Sequence, residues 1–252
     1  MIIDGHAHIS MSDYGNEINY IDQMKIAKID KALIIVGGLI DVRFMSKYID
    51  GTLKPLPVEP VVDYLESLLK KYPDLFYGFT SVDPHQGQKS IAYVEEGIKK
   101  RGFKGLKMAP ICHHFAFNDP TVKELAALCG DLGVPFYTHT TFDPVASTFA
   151  FEFLVKEFPK TTFILGHMGF GPNDVKATEM VKMYKNLYLE TSLGNYLAIK
   201  NVIQSAGAEK LIFGSEYPLS HPAVELKKIE LQDISDDKKE RIFSKNLLNL
   251  IE

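Results

Sequence analysis

Residues 163–171 read FILGHMGFG: three large apolar residues, then a histidine held in a glycine-rich turn. The same grammar recurs at residues 135–143, PFYTHTTFD, and at residues 211–220, LIFGSEYPLS. A short β-branched or aromatic run bounded by turn residues reads as a buried strand. Working outward, strands are expected near Ile2 to His8, Lys31 to Val36, Phe76 to Ser81, Gly105 to Met108, Pro135 to His139, Thr162 to Leu165, Leu187 to Glu190 and Leu211 to Phe213. Amphipathic segments separate them. From Val61 to Lys71, the residues Val61, Val62, Leu65, Leu68 and Leu69 recur at helical spacing before Pro73 ends the pattern. Asp119 before Pro120 reads as an N-cap with proline in the first helical position. Further helices are expected near Ser90 to Lys100, Ala146 to Phe158, Asn173 to Lys185, Tyr196 to Ser205, Ala223 to Leu231 and Asp237 to Ile251.

Strands that alternate with helices feed a parallel sheet, and eight such units in about 250 residues close into a (β/α)8 TIM barrel. An open doubly wound sheet shares the alternation but needs a G-x-G-x-x-G turn after its first strand, which is missing. No repeat or linker divides the chain, so residues 1–252 are expected to form a single domain. Two connections lack clear structure, Gly37 to Pro60 and Ala109 to Pro120, and on the catalytic face of a barrel they would shape the substrate site.

Composition narrows the function classes. The chain carries 28 Lys and Arg against 32 Asp and Glu, a net charge of -4, so it has no basic field for a nucleic-acid backbone. Two cysteines, Cys112 and Cys129, fit a reducing compartment, and a cytoplasmic location is expected with no membrane partner. The longest apolar stretch, Ala32 to Ile40, falls far short of the roughly 20 residues of a membrane span.

Functional groups of a barrel sit where strands end. Reading those positions alone gives His6, His8, Lys107, His139, His167, Glu190 and Glu216. In DGHAHI, residues 4–9, alternate side chains share a face, so Asp4, His6 and His8 are expected in one row. Two imidazoles about 7 Å apart along a strand can aim at one metal ion. Asp4 is expected either to orient an imidazole or to hold a backbone donor.

The ordered set of DGHAHI, His139 ending the fifth strand, GHMG with His167 ending the sixth and FGSEYP ending the eighth resembles the amidohydrolase superfamily of metal-dependent TIM-barrel hydrolases. More narrowly it is similar to the amidohydrolase-2 branch, which includes aminocarboxymuconate-semialdehyde decarboxylase-like enzymes. The resemblance spans the chain from Asp4 to KNLLNLI at its end. It implies that His6, His8 and His139 bind one divalent metal, zinc in the usual case, and that the eighth-strand acid is a ligand and proton acceptor. His167 would act as an unliganded acid or base. Where the branch has aspartate this chain has Glu216, whose longer side chain would reach the ion directly or through water. Lys107 is assigned to a substrate carboxylate, with a salt bridge or a carboxylated, metal-bridging amine as alternatives.

The expected reaction is hydrolysis of an amide, ester or lactone in a small carboxylated substrate by metal-activated water, with Glu216 and His167 as catalytic groups. The alternative keeps the site and changes the chemistry, to non-oxidative decarboxylation of an aromatic or unsaturated acid. A non-catalytic small-molecule-binding barrel is a minor third reading. His85, His113, His114, His221, Asn195 and Arg43 are read as loop residues that could touch substrate, Glu190 is given no role, and Phe115 and Phe117 are candidates for a contact between copies of the chain.

Overall fold

The computed structural model describes residues 1–55, 60–171 and 173–252. Eight parallel strands appear in sequence order: β1 (Ile3–Ile9), β2 (Lys31–Val36), β3 (Phe76–Gly78 continued by Thr80–Ser81), β4 (Leu106–Met108), β5 (Phe136–Thr138), β6 (Phe163–Leu165), β7 (Leu187–Glu190) and β8 (Leu211–Ile212). Each pairs in parallel with the next, and β3 spans the turn of the cylinder, its first half bonded to β2 and its second to β4. The seam between β8 and β1 is closed by Gly5 N to Phe213 O at 2.8 Å, Glu216 N to His6 O at 2.7 Å and His8 N to Tyr217 O at 2.7 Å. This is the expected (β/α)8 barrel.

A helix follows every strand, from Glu17–Ala27 after β1 to Pro222–Glu230 after β8. The first of these carries no strong periodic signal, and the sequence pattern does not announce it. The last expected helix is present as Asp236–Glu240 and Asn246–Ile251 joined through a π-type turn at Arg241–Lys245. Among the described residues no helix is long and apolar enough to cross a membrane.

Period two sorts the strand residues into two cores. Ile3, Leu33, Ile35, Phe79, Tyr137, Ile164 and Ile212 fill the inside of the barrel, with Leu247 and Ile251 of the final helix packed against them. Their neighbours Ala32, Ile34, Val36, Leu106, Met108, Phe136, Phe163 and Leu165 face the helix layer. Leu106 and Met108 face outward, so Lys107 between them points inward and is 1% exposed.

β1 departs from this alternation. Its pairing with β2 shifts between Asp4 and Ala7, which inserts one extra residue and reverses the facing of the residues beyond it. Ile3 points into the barrel, Asp4 therefore points out to the helix layer, and after the shift His6 and His8 point in while Ala7 and Ile9 point out. The single row expected for Asp4, His6 and His8 is thus corrected: only the histidines share the interior. Asp4 Oδ1 accepts from His6 N at 3.0 Å and Ser215 N at 2.8 Å, while Oδ2 accepts from the Tyr20 hydroxyl at 2.6 Å and from Ser215 Oγ. It holds backbone donors across the seam and touches no imidazole nitrogen. Gly5 makes the close approach possible, since a Cβ there would stand 2.7 Å from Phe213 O.

The two long connections hold short helical pieces, Val42–Phe44 and Met45–Ile49 in the first and Pro110–His113 in the second; residues 56–59 of the first lie outside the described residues. Phe115 and Phe117 are each 1% exposed and pack edge to face, so they belong to the core and are not available to a second copy. Asp119 precedes its helix but bonds Ala116 N at 3.0 Å in place of a helical N–H.

Candidate metal centre

His6 and His8 reach the mouth of the barrel from β1, and the turn after β8 brings Glu216 onto them. His6 Nε2 lies 3.1 Å from His8 Nε2 and 2.8 Å from Glu216 Oε2; His8 Nε2 lies 3.7 Å from Glu216 Oε1. These three residues form a group whose ligand atoms fall within 4.8 Å of one another. Two donors each about 2.1 Å from one ion stand about 3.0–3.4 Å apart, a range that the two imidazoles meet and that the Glu216 oxygens miss by a few tenths of an ångström.

The hydrogen bonds behind the rings decide which nitrogen is free. His8 Nδ1 is 2.7 Å from Val36 O, a group that only accepts, so Nδ1 carries the proton and Nε2 carries a lone pair. His6 Nδ1 is 2.8 Å from Glu190 Oε2, which likewise directs its Nε2 lone pair at the centre. Two lone pairs facing each other at 3.1 Å repel unless a positive charge sits between them. His139 Nε2 is buried without a hydrogen-bond partner, and Glu216 Oε2, also buried, has only the His6 Nε2 edge at 2.8 Å beside it. Such acceptors need an occupant, and a nitrogen-rich set with one carboxylate fits a divalent cation.

His139, at the end of β5, lines the same cavity with its ring 5.8 Å from that of His167, outside the tight group of three. His167 approaches from β6, its Nε2 3.9 Å from Glu216 Oε2. A second compact group, His6, His167 and Glu190, owes its closeness to hydrogen bonding. Glu190 Oε2 takes His6 Nδ1–H, the Tyr137 hydroxyl at 2.9 Å and the Ser192 hydroxyl at 2.8 Å. Ser192 Oγ has spent its proton on Glu190 and so accepts from His167 Nδ1 at 3.0 Å. One buried carboxylate thereby sets the orientation of both His6 and His167. The sequence alone assigns Glu190 no role; its inward register after Leu189 is the signal that was available.

Backbone strain marks the same places. His167 has φ 59°, Leu193 φ 57° and Glu216 φ 56°, left-handed values that cost a non-glycine residue about 1–3 kcal/mol each. Gly214 is needed for a different reason, because a Cβ there would collide with Glu190 Oε1 and stand 2.8 Å from the His6 Cβ.

Burial dominates the protonation states. It lowers His8 to about 4, pulls His139 well below and His167 below the ordinary imidazole value, leaving all three neutral at pH 7. Burial pushes His6 down too, but Glu216 and Glu190 around it prevail and raise it. Burial would raise both acids, yet His6 and its neighbours hold Glu190 at about 2 and Glu216 well below the carboxylate range. Burial brings Lys107 down to about 8 against the pull of both glutamates; its Nζ lies 3.2 Å from His6 Nε2 and 3.8 Å from the Tyr137 ring centre.

Above this floor a cavity of about 130 Å³ opens between the first long connection and the loops after β4, β6, β7 and β8. Lys107, His139, His167 and Glu216 line it, and Ile40, Met45, Ile111, Phe170 and Leu219 are among its walls. The loop residues expected near substrate are elsewhere. His221 caps the helix Pro222–Glu230, Asn195 caps Tyr196–Ser205, His85 holds the carbonyl of His113, and Arg43 pairs with Asp41 over the Tyr14 ring. Neither these nor His114 line the cavity.

A family model described as Amidohydrolase matches residues 3–246. The chain belongs to the amidohydrolase family. No curated protein matches it in sequence. Among solved structures, this amidohydrolase is similar to a TIM-barrel protein from Bordetella bronchiseptica, with 18% identity, 99% of this chain and 97% of that chain covered and a TM-score of 0.77. It is similar to 5-carboxyvanillate decarboxylase from Novosphingobium aromaticivorans, complexed with manganese and 4-hydroxy-3-methoxy-5-nitrobenzoic acid, at 16% identity, 100% and 96% coverage and a TM-score of 0.74. It is also similar to 2,6-dihydroxybenzoate decarboxylase from Rhizobium, at 16% identity, 99% and 98% coverage and a TM-score of 0.72. At such identities the likeness establishes a shared fold.

Proposed function

We propose that this amidohydrolase-family barrel is a metal-dependent, non-oxidative decarboxylase of a small aromatic or unsaturated carboxylic acid. The observation that carries the reading is the cavity itself: a floor of histidines, Glu216 and one lysine beneath walls that are largely apolar. Hydrolysis, the first expectation from sequence, gains from polar partners for a leaving group, and the largely apolar walls offer few. Similarity to two benzoate-type decarboxylases supports the same choice.

His6, His8 and Glu216 would hold one divalent cation, with His139, whose Nε2 lacks a partner, completing the set. When bound, the ion would neutralise a carboxylate oxygen of the substrate and polarise it. Zinc suits three imidazoles and one carboxylate; manganese, present in the Novosphingobium structure, is the alternative. Lys107 anchors the substrate carboxylate from the cavity floor. His167, held by Ser192 through Nδ1, keeps Nε2 turned to the cavity. A proton taken up there from solvent passes to the carbon that bears the carboxylate. The bond between that carbon and the carboxylate then breaks, its electron pair restores the unsaturation, and carbon dioxide leaves. The apolar walls exclude water from this exchange and strengthen the electrostatic contacts on the floor.

Metal analysis of the purified protein, followed by measurement of carbon dioxide release from a panel of aromatic acids, tests the reading. His167→Ala should slow release by about 10²–10⁴-fold with metal content unchanged. Undiminished release in that variant, or cleavage of amides and lactones with no decarboxylation, rejects the proposal.

A further inference from the structure

Most of the hydroxyl side chains that line the cavity already share a hydrogen bond within the protein. Ser10 pairs with Ser12 at 2.8 Å, the Ser81 hydroxyl, in register with Lys107, donates to Lys107 O at 2.9 Å, and Thr140 pairs with Thr148 at 3.1 Å. Tyr14 lines it too, its ring stacked under the Arg43 guanidinium. Cys112 adds a thiol, a weak donor and acceptor. The remaining lining side chains above the floor, among the described residues, are apolar, with Leu39, Ile40, Met45 and Ile49 from the first connection facing Ile111 and Phe170. All ionic groups lie at one end, in Lys107, the histidines and Glu216.

Size adds a second limit. A cavity of about 130 Å³ is close to the roughly 150 Å³ of an engineered apolar cavity that takes up one benzene. It has room for one ring or a branched chain of similar bulk.

Resting on the decarboxylase reading above, we infer that the substrate is a single-ring or comparably small monocarboxylate whose end remote from the carboxylate is apolar, without a hydroxyl. The carboxylate meets Lys107 and the cation site, and the hydrocarbon body fills the space under Met45 and Ile111. A hydroxyl placed there loses its water and finds only a weak thiol or hydroxyls already shared with the protein, a penalty that weakens binding by about tenfold or more. A methyl group of the same size gains burial instead.

Isothermal titration of the metal-loaded protein with 4-methylbenzoate and 4-hydroxybenzoate separates these outcomes, because the two acids differ only in the remote group. The methyl acid should bind about tenfold or more tightly. Equal or tighter binding of the hydroxy acid overturns the inference, as does the absence of saturable binding by the methyl acid. Met45→Gln and Ile111→Thr, two half-buried positions in the short helices of the connections, each supply a hydrogen-bonding group to the wall and should narrow the ratio by about threefold or more. An unchanged ratio in both variants shows that these walls do not read the remote end and overturns the assignment. Carbon dioxide release is measured in parallel with carboxyl-labelled acids. The expected binding order with no release from any acid removes the decarboxylase reading and leaves the binding preference standing. Release with the hydroxy acid preferred does the reverse.

Discussion

Asp4 offers a test of what closes the barrel that is independent of any metal. Its carboxylate is fully buried and its Oδ1 alone satisfies two backbone donors, His6 N at 3.0 Å and Ser215 N at 2.8 Å, one on each side of the β8–β1 seam. Asp4→Asn and Asp4→Ala both delete the carboxylate, so the cost or relief of burying its charge cancels between them. Asparagine keeps Oδ1 for the two N–H groups and alanine does not. Leaving a buried donor unpaired costs about 1–3 kcal/mol, so the alanine protein should be less stable than the asparagine protein by about 2–6 kcal/mol. That is a large share of the roughly 5–15 kcal/mol that a folded domain has in total. Urea midpoints measured in chelator, with unchanged slopes, report the difference. The same two donors flank His6 and Glu216, so the alanine variant should also bind metal more weakly. Two variants of equal stability would refute the role of Asp4 as a tie across the seam. A linked pH effect has its own sign. Burial pushes Asp4 up to about 6, against the pull of its hydrogen bonds, from the 3.8 of an ordinary aspartate. The folded state therefore holds the proton over that window, and wild type should lose up to about 3 kcal/mol relative to Asp4→Asn as pH rises from about 4 to 7.

His8 titrates with the opposite sign. Its folded value of about 4 lies below the 6.5 of a free imidazole, so its stability contribution is complete above pH 6.5 and is lost as pH falls towards 4. In metal-free protein, wild type should lose up to about 3 kcal/mol relative to His8→Gln across that window, reduced somewhat because its side chain is 19% exposed; parallel curves of melting temperature against pH would contradict this. Glu190→Gln should weaken metal binding by about 10–100-fold by disturbing the ring of His6, and unchanged affinity in a competition titration would deny Glu190 its positioning role. Gly214→Ala should reproduce that loss, since its methyl group displaces the same carboxylate. Adding zinc or manganese at about 100 times its dissociation constant should stabilise wild type by about 2.7 kcal/mol and the His6→Ala, His8→Ala and Glu216→Ala proteins far less; an equal thermal shift in all four would move the ion elsewhere.

Much of the molecule was legible in its linear order. Alternating apolar runs and amphipathic segments report burial directly, because each residue's neighbours at two or at three and four positions away lie on its own face, and from that the eight strands and the barrel follow. The functional end was legible too, as polar residues such as His6, Lys107, His139, His167 and Glu216 stand where apolar runs stop. The parts that stayed hidden depend on pairing between distant segments. A register shift in β1 turned Asp4 away from the histidines it sits beside in sequence, and no local pattern announces such an insertion. Glu190 became the shared partner of His6 and His167 only when β1, β6 and β7 were brought together. Phe115 and Phe117, in a connection that reads as exposed, were drawn into the core by a neighbouring helix. Periodicity is a property of one segment and survives in the string of letters; hydrogen bonds and cavity walls join segments far apart, and only the closed cylinder brings them within reach.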